Sequence, residues 1–130
     1  MSDELALVLM TAPDAPVAES IGRALVRERL AACASVVPGV VSVYAWQGEA
    51  RADAEVQVLF KTRRDLLPRL FRRAAELHPY EVPELIATPI VGAAEAYRQW
   101  VLDATAQPED ERDKRASLPR GTRVEDGSER

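Results

Sequence analysis

The chain has one cysteine and one histidine among its 130 residues. A single thiol, Cys33, excludes an intrachain disulfide framework, and a lone thiol fits a reducing compartment. No C-x-x-C or paired-histidine spacing exists to seat a structural metal. Aromatic side chains are few, at 5%, and apolar runs are short. None approaches the roughly 20 residues that cross a bilayer, so no membrane partner is expected. Positive charge is outweighed: the formal net charge is -4, which argues against a general nucleic-acid surface. The opening Met1-Ser2-Asp3-Glu4 is acidic where an export signal is basic, so the expected location is cytoplasmic. The nucleophile-elbow, P-loop and dinucleotide fingerprints are missing too. The expectation is therefore a protein that is not an enzyme, with no catalytic residues.

What is present is a globular pattern with 47% hydrophobic residues, sized for one domain by the prior of roughly 100–200 residues each. Residues 5–11 (LALVLMT) form an apolar run that reads as a strand buried on both faces. From Pro16 to about Ala31 the spacing turns helical, with Val17, Ile21, Ala24 and Leu25 on one stripe. Asp14 is positioned as its N-cap, with Pro16 in the first turn. Residues 32–46 are valine-rich and suit a strand. Pro38-Gly39 in its middle predicts a bend or bulge. Gln47-Gly48-Glu49-Ala50 reads as a turn, and residues 54–62 alternate as the second strand of a hairpin.

A second helix carries Leu66, Leu67, Leu70, Phe71, Ala74 and Leu77. Two N-caps compete for it. Thr62 with Asp65 has capping-box spacing, whereas an Asp65 cap leaves Pro68 in the tolerant first turn. A two-proline loop follows, His78-Pro79-Tyr80-Glu81-Val82-Pro83. Residues 84–90 read as a fourth strand, and Ala93 to about Ala104 as a last helix.

The order β-α-β-β-α-β plus a C-terminal helix predicts an α+β, ferredoxin-like fold: an antiparallel sheet with two helices on one face. The other face then needs a cover, and a partner subunit is the economical one. The domain is expected over residues 1–106. Residues 107–130, dense in charge, are expected to be a disordered tail. RNA-recognition domains share this strand order, but strand three offers Glu55, Gln57, Leu59 and Lys61 on one face and Phe60 as its one aromatic. No nucleic-acid partner is expected.

The candidate metal ligands are Cys33, His78, Glu81 and Glu84. A thiolate suits Cu(I), and imidazole suits copper and zinc. Each has a plainer alternative. Free cysteine is among the most buried residue types. His78 falls where a helix C-cap would fix the loop. Their spacing matches no known site, so a site would have to be assembled across the fold or between subunits. Lys61 and Tyr80 are candidates for a ligand cleft, with a salt bridge as the structural alternative for Lys61. Tyr44, Trp46 and Trp100 are candidate interface anchors, since aromatics are enriched at such cores.

The chain resembles the CutA family of divalent-cation tolerance proteins. The resemblance rests on Arg29-Leu30-Ala31-Ala32-Cys33-Ala34, Pro38-Gly39-Val40 and Tyr44-Ala45-Trp46-Gln47-Gly48. It continues in Glu55-Val56-Gln57-Val58, Lys61-Thr62-Arg63 and Leu77-His78-Pro79-Tyr80-Glu81-Val82-Pro83-Glu84, covering residues 5–104. Many relatives carry a second aromatic where this chain has Ala45, and the tail has no counterpart. The resemblance implies a homotrimer with the architecture of PII-type signalling proteins. It also implies a link to tolerance of copper and other divalent ions, so copper or another divalent metal is the expected ligand, with no organic cofactor. The alternative is a PII-like scaffold that binds a small anion or a protein through Lys61, Arg63 and Arg64.

Overall fold

The structure, a computed structural model, describes residues 3–110. The elements run β1 (Leu5–Ala12), α1 (Ala15–Arg27), β2 (Cys33–Trp46), β3 (Glu49–Arg63), α2 (Leu67–Leu77), β4 (Ile86–Ile90) and α3 (Glu95–Ala104). A short 3-10 turn, Arg64–Leu66, links β3 to α2. The four strands form one sheet in the order β2-β3-β1-β4, and every neighbouring pair is antiparallel. This is the predicted α+β, ferredoxin-like arrangement.

Local chemistry explains the boundaries. Asp14 caps α1: its Oδ1 accepts from the Val17 backbone N–H at 2.9 Å, and Pro16 sits in the first turn. The helix ends at Arg27, short of the predicted Ala31, because Arg29 adopts a left-handed φ of 62°. The Leu30 N–H then turns back to the Leu25 carbonyl at 2.9 Å. This closure normally places glycine at the left-handed position.

In β2, Pro38-Gly39 produces the anticipated irregularity. The pairing with β3 shifts register between Val37 and Val40, and Gly39 takes φ 83°, which a side chain rarely tolerates. The hairpin turn is tighter than predicted. Gln47 and Gly48 both take positive φ, 51° and 81°, as a two-residue turn matched to strand twist requires. β3 therefore begins at Glu49, five residues before the predicted start. β1 pairs with β3 only from Ala12↔Val56 to Leu5↔Arg63. Beyond that point β2 and β3 continue from Val40↔Glu55 to Trp46↔Glu49 as a two-stranded arm.

Neither candidate cap starts α2. Its N-cap is Leu66, without a side-chain bond, and Pro68 lies in the first turn. The Thr62 hydroxyl donates instead to the Leu30 carbonyl at 2.8 Å, and Asp65 accepts from Arg63 Nε at 3.1 Å.

Side chains alternate across the sheet. Val8, Met10, Val58 and Phe60 face α1 and α2 and pack with Ile21, Leu25, Leu70 and Ala74 in one core. Each large apolar side chain so buried contributes about 1.5–3 kcal/mol. Helix α1 approaches β2 closely at Gly22, where a Cβ would stand 3.1 Å from the Ala34 Cβ.

The domain reaches past the predicted limit of residue 106. Gln107 and Asp110 are buried, and Asp110 pairs with buried Arg63 at 2.6 Å. Residues 107–110 are thus bound to the body rather than part of a free tail. The rest of the expected tail, 111–130, lies outside the described residues.

Candidate functional site

The second sheet face carries the odd-numbered residues of β1 and their register partners. Leu7 pairs with Lys61 and Thr88, Leu9 with Leu59 and Ile86, and Cys33 with Lys61. Helix α3 covers one end of this face, where Val101 packs with Leu5 and Ala32. The remainder is open: Leu7, Leu9 and Leu59 are half-buried and Ile86 is 54% exposed.

Cys33 and Lys61 lie at the edge of α3. The Cys33 thiol is 3.6 Å from the Tyr97 hydroxyl. That bond, followed by burial, raises the Tyr97 phenol above its ordinary range. Tyr97 also stands against Trp100, with ring centroids 5.5 Å apart. Lys61 Nζ donates to the Ser35 hydroxyl at 2.9 Å, so its partner on the sheet is a neutral oxygen rather than a salt-bridging carboxylate. Trp100 is 46% exposed on the outer side of α3.

The proline-rich loop does different work. His78 is the C-cap of α2, and its ring is fully engaged. Nε2 lies 2.7 Å from the Thr11 carbonyl oxygen, and Nδ1 accepts the Tyr80 backbone N–H at 3.1 Å. A carbonyl can only accept, so the proton sits on Nε2. Tyr80 packs on the imidazole at 4.7 Å and donates its hydroxyl to Glu55 at 2.8 Å on the arm. Burial and that carboxylate push the Tyr80 phenol up to about 12. Further along the arm, Tyr44 donates to Asp53, and Trp46 is 54% exposed. Glu81 and Glu84 are exposed.

These positions bear on a metal. Cys33 is level with Leu7 in the sheet, whereas His78 reaches Thr11, four residues along β1. At about 3.3 Å per residue that is roughly 13 Å along the strand. Among the described residues no group of three or more His, Cys, Asp or Glu side chains could hold a metal ion. The donors of a single chain, with both histidine nitrogens already bonded, do not fit a resident metal.

The residues that the sequence reading missed lie at the C-terminal end. Gln107, Glu109 and Asp110 meet Arg29, Arg63 and Arg69. A signal was present: Gln107-Pro108-Glu109-Asp110 is a helix start, with proline at the first position and an acid three residues after the cap.

A family model described as CutA1 divalent ion tolerance protein matches residues 6–104. The chain belongs to this family. The divalent-cation tolerance protein CutA of Thermus thermophilus is 46% identical over 99 residues, which is 76% of this chain and 96% of that protein. Human Protein CutA is 41% identical over 101 residues, 78% of this chain but 56% of the human one. The chloroplastic CutA of Arabidopsis thaliana is likewise spanned over only 54% of its length. Among solved structures, CutA from Xylella fastidiosa superposes with a TM-score of 0.78 at 41% identity, covering 81% of this chain and all of that one. A CutA from Archaeoglobus fulgidus, 26% identical with a TM-score of 0.77, is described as periplasmic. None of the helices among the described residues is long and apolar enough to cross a membrane.

Proposed function

We propose that this CutA1-family chain is a homotrimeric, metal-responsive binding protein, with copper among its ions, and that it works without catalysis in the cytoplasm. The observation that carries this reading is the open sheet face. Leu7, Leu9 and Leu59 are half-buried there and Ile86 is exposed, beside the half-buried thiol of Cys33. A face of this kind marks a contact surface. A copy of the chain docked on it would bring further donors to Cys33. The thiolate is then the soft ligand for Cu(I). Glu81 and Glu84 are free to turn outward as oxygen donors. His78 would join only by releasing the Tyr80 N–H. Tyr44, Trp46 and Trp100 serve as interface anchors, and Lys61 and Tyr80 border the cleft.

The test is a titration of purified protein with Cu(I) against a competing chelator, and separately with Cu(II). Cys33→Ser and His78→Ala run alongside, with mass followed by light scattering. Saturable binding lost in Cys33→Ser, with a mass three times that of the chain, supports the reading. Binding indifferent to both changes, or a monomeric mass, defeats it.

One observation favours the second reading, a PII-like scaffold for a small anion. Lys61 has a hydroxyl for a partner and stands on the open face. Arg63 and Arg64 do not add to it, because Asp110 and Glu4 already hold them. A melting temperature raised by organic acids or nucleotides but not by metals would select this reading.

A further inference from the structure

The segment from the last turn of α3 to Asp110 is gripped by three arginines from different parts of the fold. Arg29, in the connection from α1 to β2, donates to the carbonyls of Asp103 at 2.7 Å and Ala106 at 2.9 Å. Arg63, at the end of β3 and 2% exposed, donates to Asp110 at 2.6 Å. Arg69, on α2, reaches Gln107 at 3.3 Å and Glu109 at 2.5 Å. The Gln107 side chain answers with bonds to the carbonyls of Arg29 and Thr105, both at 2.9 Å. One oxygen organises the group: Asp110 Oδ2 accepts from Arg63 and also from the Gln107 backbone N–H at 2.8 Å.

The other end of the helix is held differently. Its N-cap, Ala94, has no side-chain bond, and Arg98 ties to the Asp3 carbonyl near the chain start. Packing separates α3 from the main core as well. The core between the sheet and the first two helices contains no residue of α3. Val101 belongs to a small second cluster with Leu5 and Ala32. Helix α3 can therefore leave the sheet without disturbing the main core, at the cost of that small cluster and of the polar ties from Arg29, Arg98 and Tyr97.

The geometry points to residues 103–110 being a latch, with Asp110 as its positioning residue, whose closure holds α3 over the Cys33–Lys61 end of the open face. Opening it lifts Tyr97 away from the Cys33 thiol and Val101 away from Leu5, while the main core stays intact. The latch runs to Asp110, past residue 104, where the match to the family model ends. Local opening of this kind is a property of elements with few buried apolar contacts.

Amide exchange on the full 130-residue chain tests the latch. Wild type is compared with Asp110→Ala, Gln107→Ala and the control Arg73→Ala, which breaks the exposed Arg73–Glu28 pair between α1 and α2. In Asp110→Ala the amides of Arg98–Ala104 exchange at least about ten-fold faster relative to Val8 and Phe60. Gln107→Ala shows a smaller increase of the same kind, and Arg73→Ala none. Modification of Cys33 by an aromatic disulfide speeds up in step with the α3 amides. An α3 that exchanges at the wild-type rate, or accelerates only as much as β1 and β3, overturns the latch. If Asp110→Ala fails to fold, Gln107→Ala decides by the same criterion.

Discussion

Tyr80 donates its hydroxyl to Glu55 across 2.8 Å, which ties the proline-rich loop to the base of the β2–β3 arm. The His78 ring beneath it is bonded to the Thr11 carbonyl. Loop, arm and central strand are thereby joined by two side chains. The loop positions the arm, and His78 contributes as a strut.

The first prediction concerns that tie. Tyr80→Phe removes one partly exposed hydrogen bond and should cost about 1 kcal/mol, read from urea unfolding. The pH dependence has a definite sign. The Tyr80 phenol is raised to about 12 from its ordinary 10. Its contribution is therefore complete below pH 10 and disappears as pH climbs through 12. Tyr80→Phe should flatten stability over that interval. Tyr44 and Tyr97, raised as well, will retain their share of the slope. A profile as steep as wild type would show that the bond does not hold the loop.

Acid stability should centre on Asp110. Burial alone would raise its pKa, but hydrogen bonds from Arg63 and the Gln107 N–H, with the charge of Arg63, outweigh burial and hold it below the ordinary aspartate range. The sign is opposite to that of Tyr80. The stabilisation is present above the unfolded pKa and is lost as pH falls through the lower folded value. Asp110→Asn should reduce the loss of stability below about pH 4, measured by thermal melts from pH 5 downward. At neutral pH, Asp110→Ala should cost on the order of 3 kcal/mol, because it leaves buried Arg63 short of a partner.

Arg29 offers a three-way comparison. Its left-handed backbone costs about 1–2 kcal/mol, and its two bonds to the Asp103 and Ala106 carbonyls return about 1 kcal/mol each. Arg29→Gly relieves the backbone and loses the bonds, and Arg29→Ala loses the bonds while keeping the strain. The expected order of melting temperatures is wild type, then glycine, then alanine. A glycine variant more stable than wild type would mean that the guanidinium grip contributes little.

Assembly is predicted to depend on the exposed indoles. Trp46→Ala on the arm and Trp100→Ala on α3 should each shift the protein toward a smaller mass at micromolar concentration, by sedimentation or light scattering. Unaltered mass in both variants would remove these residues from the interface.

Much of the fold was legible because its signals are local. Asp14 and Pro16 mark the start of α1, Pro38-Gly39 marks the irregularity in β2, and Gln47-Gly48 marks the hairpin. The failures share a cause in tertiary context. Residues 49–53 (EARAD) have no strand preference of their own and are extended because β2 pairs with them. Arg29 ends α1 where glycine was the recognisable signal. Asp110 reads as one acid in a charged run until Arg63 is seen beneath it. The candidate ligands could be named one by one, but their separation could not. Cys33 and His78 answer to different ends of β1, and only the register reveals that.

Strand β1 is synthesised first, yet it sits between two later strands: Leu9 pairs with Leu59 on one side and with Ile86 on the other. The β2–β3 hairpin can close on its own, but Leu5-Ala6-Leu7-Val8-Leu9-Met10 must wait for both partners to be made. Pairings this distant along the chain slow folding. During translation the β1 segment therefore stays partly unsheathed until β3 and β4 have both emerged, and that interval is when the protein is most exposed to self-association.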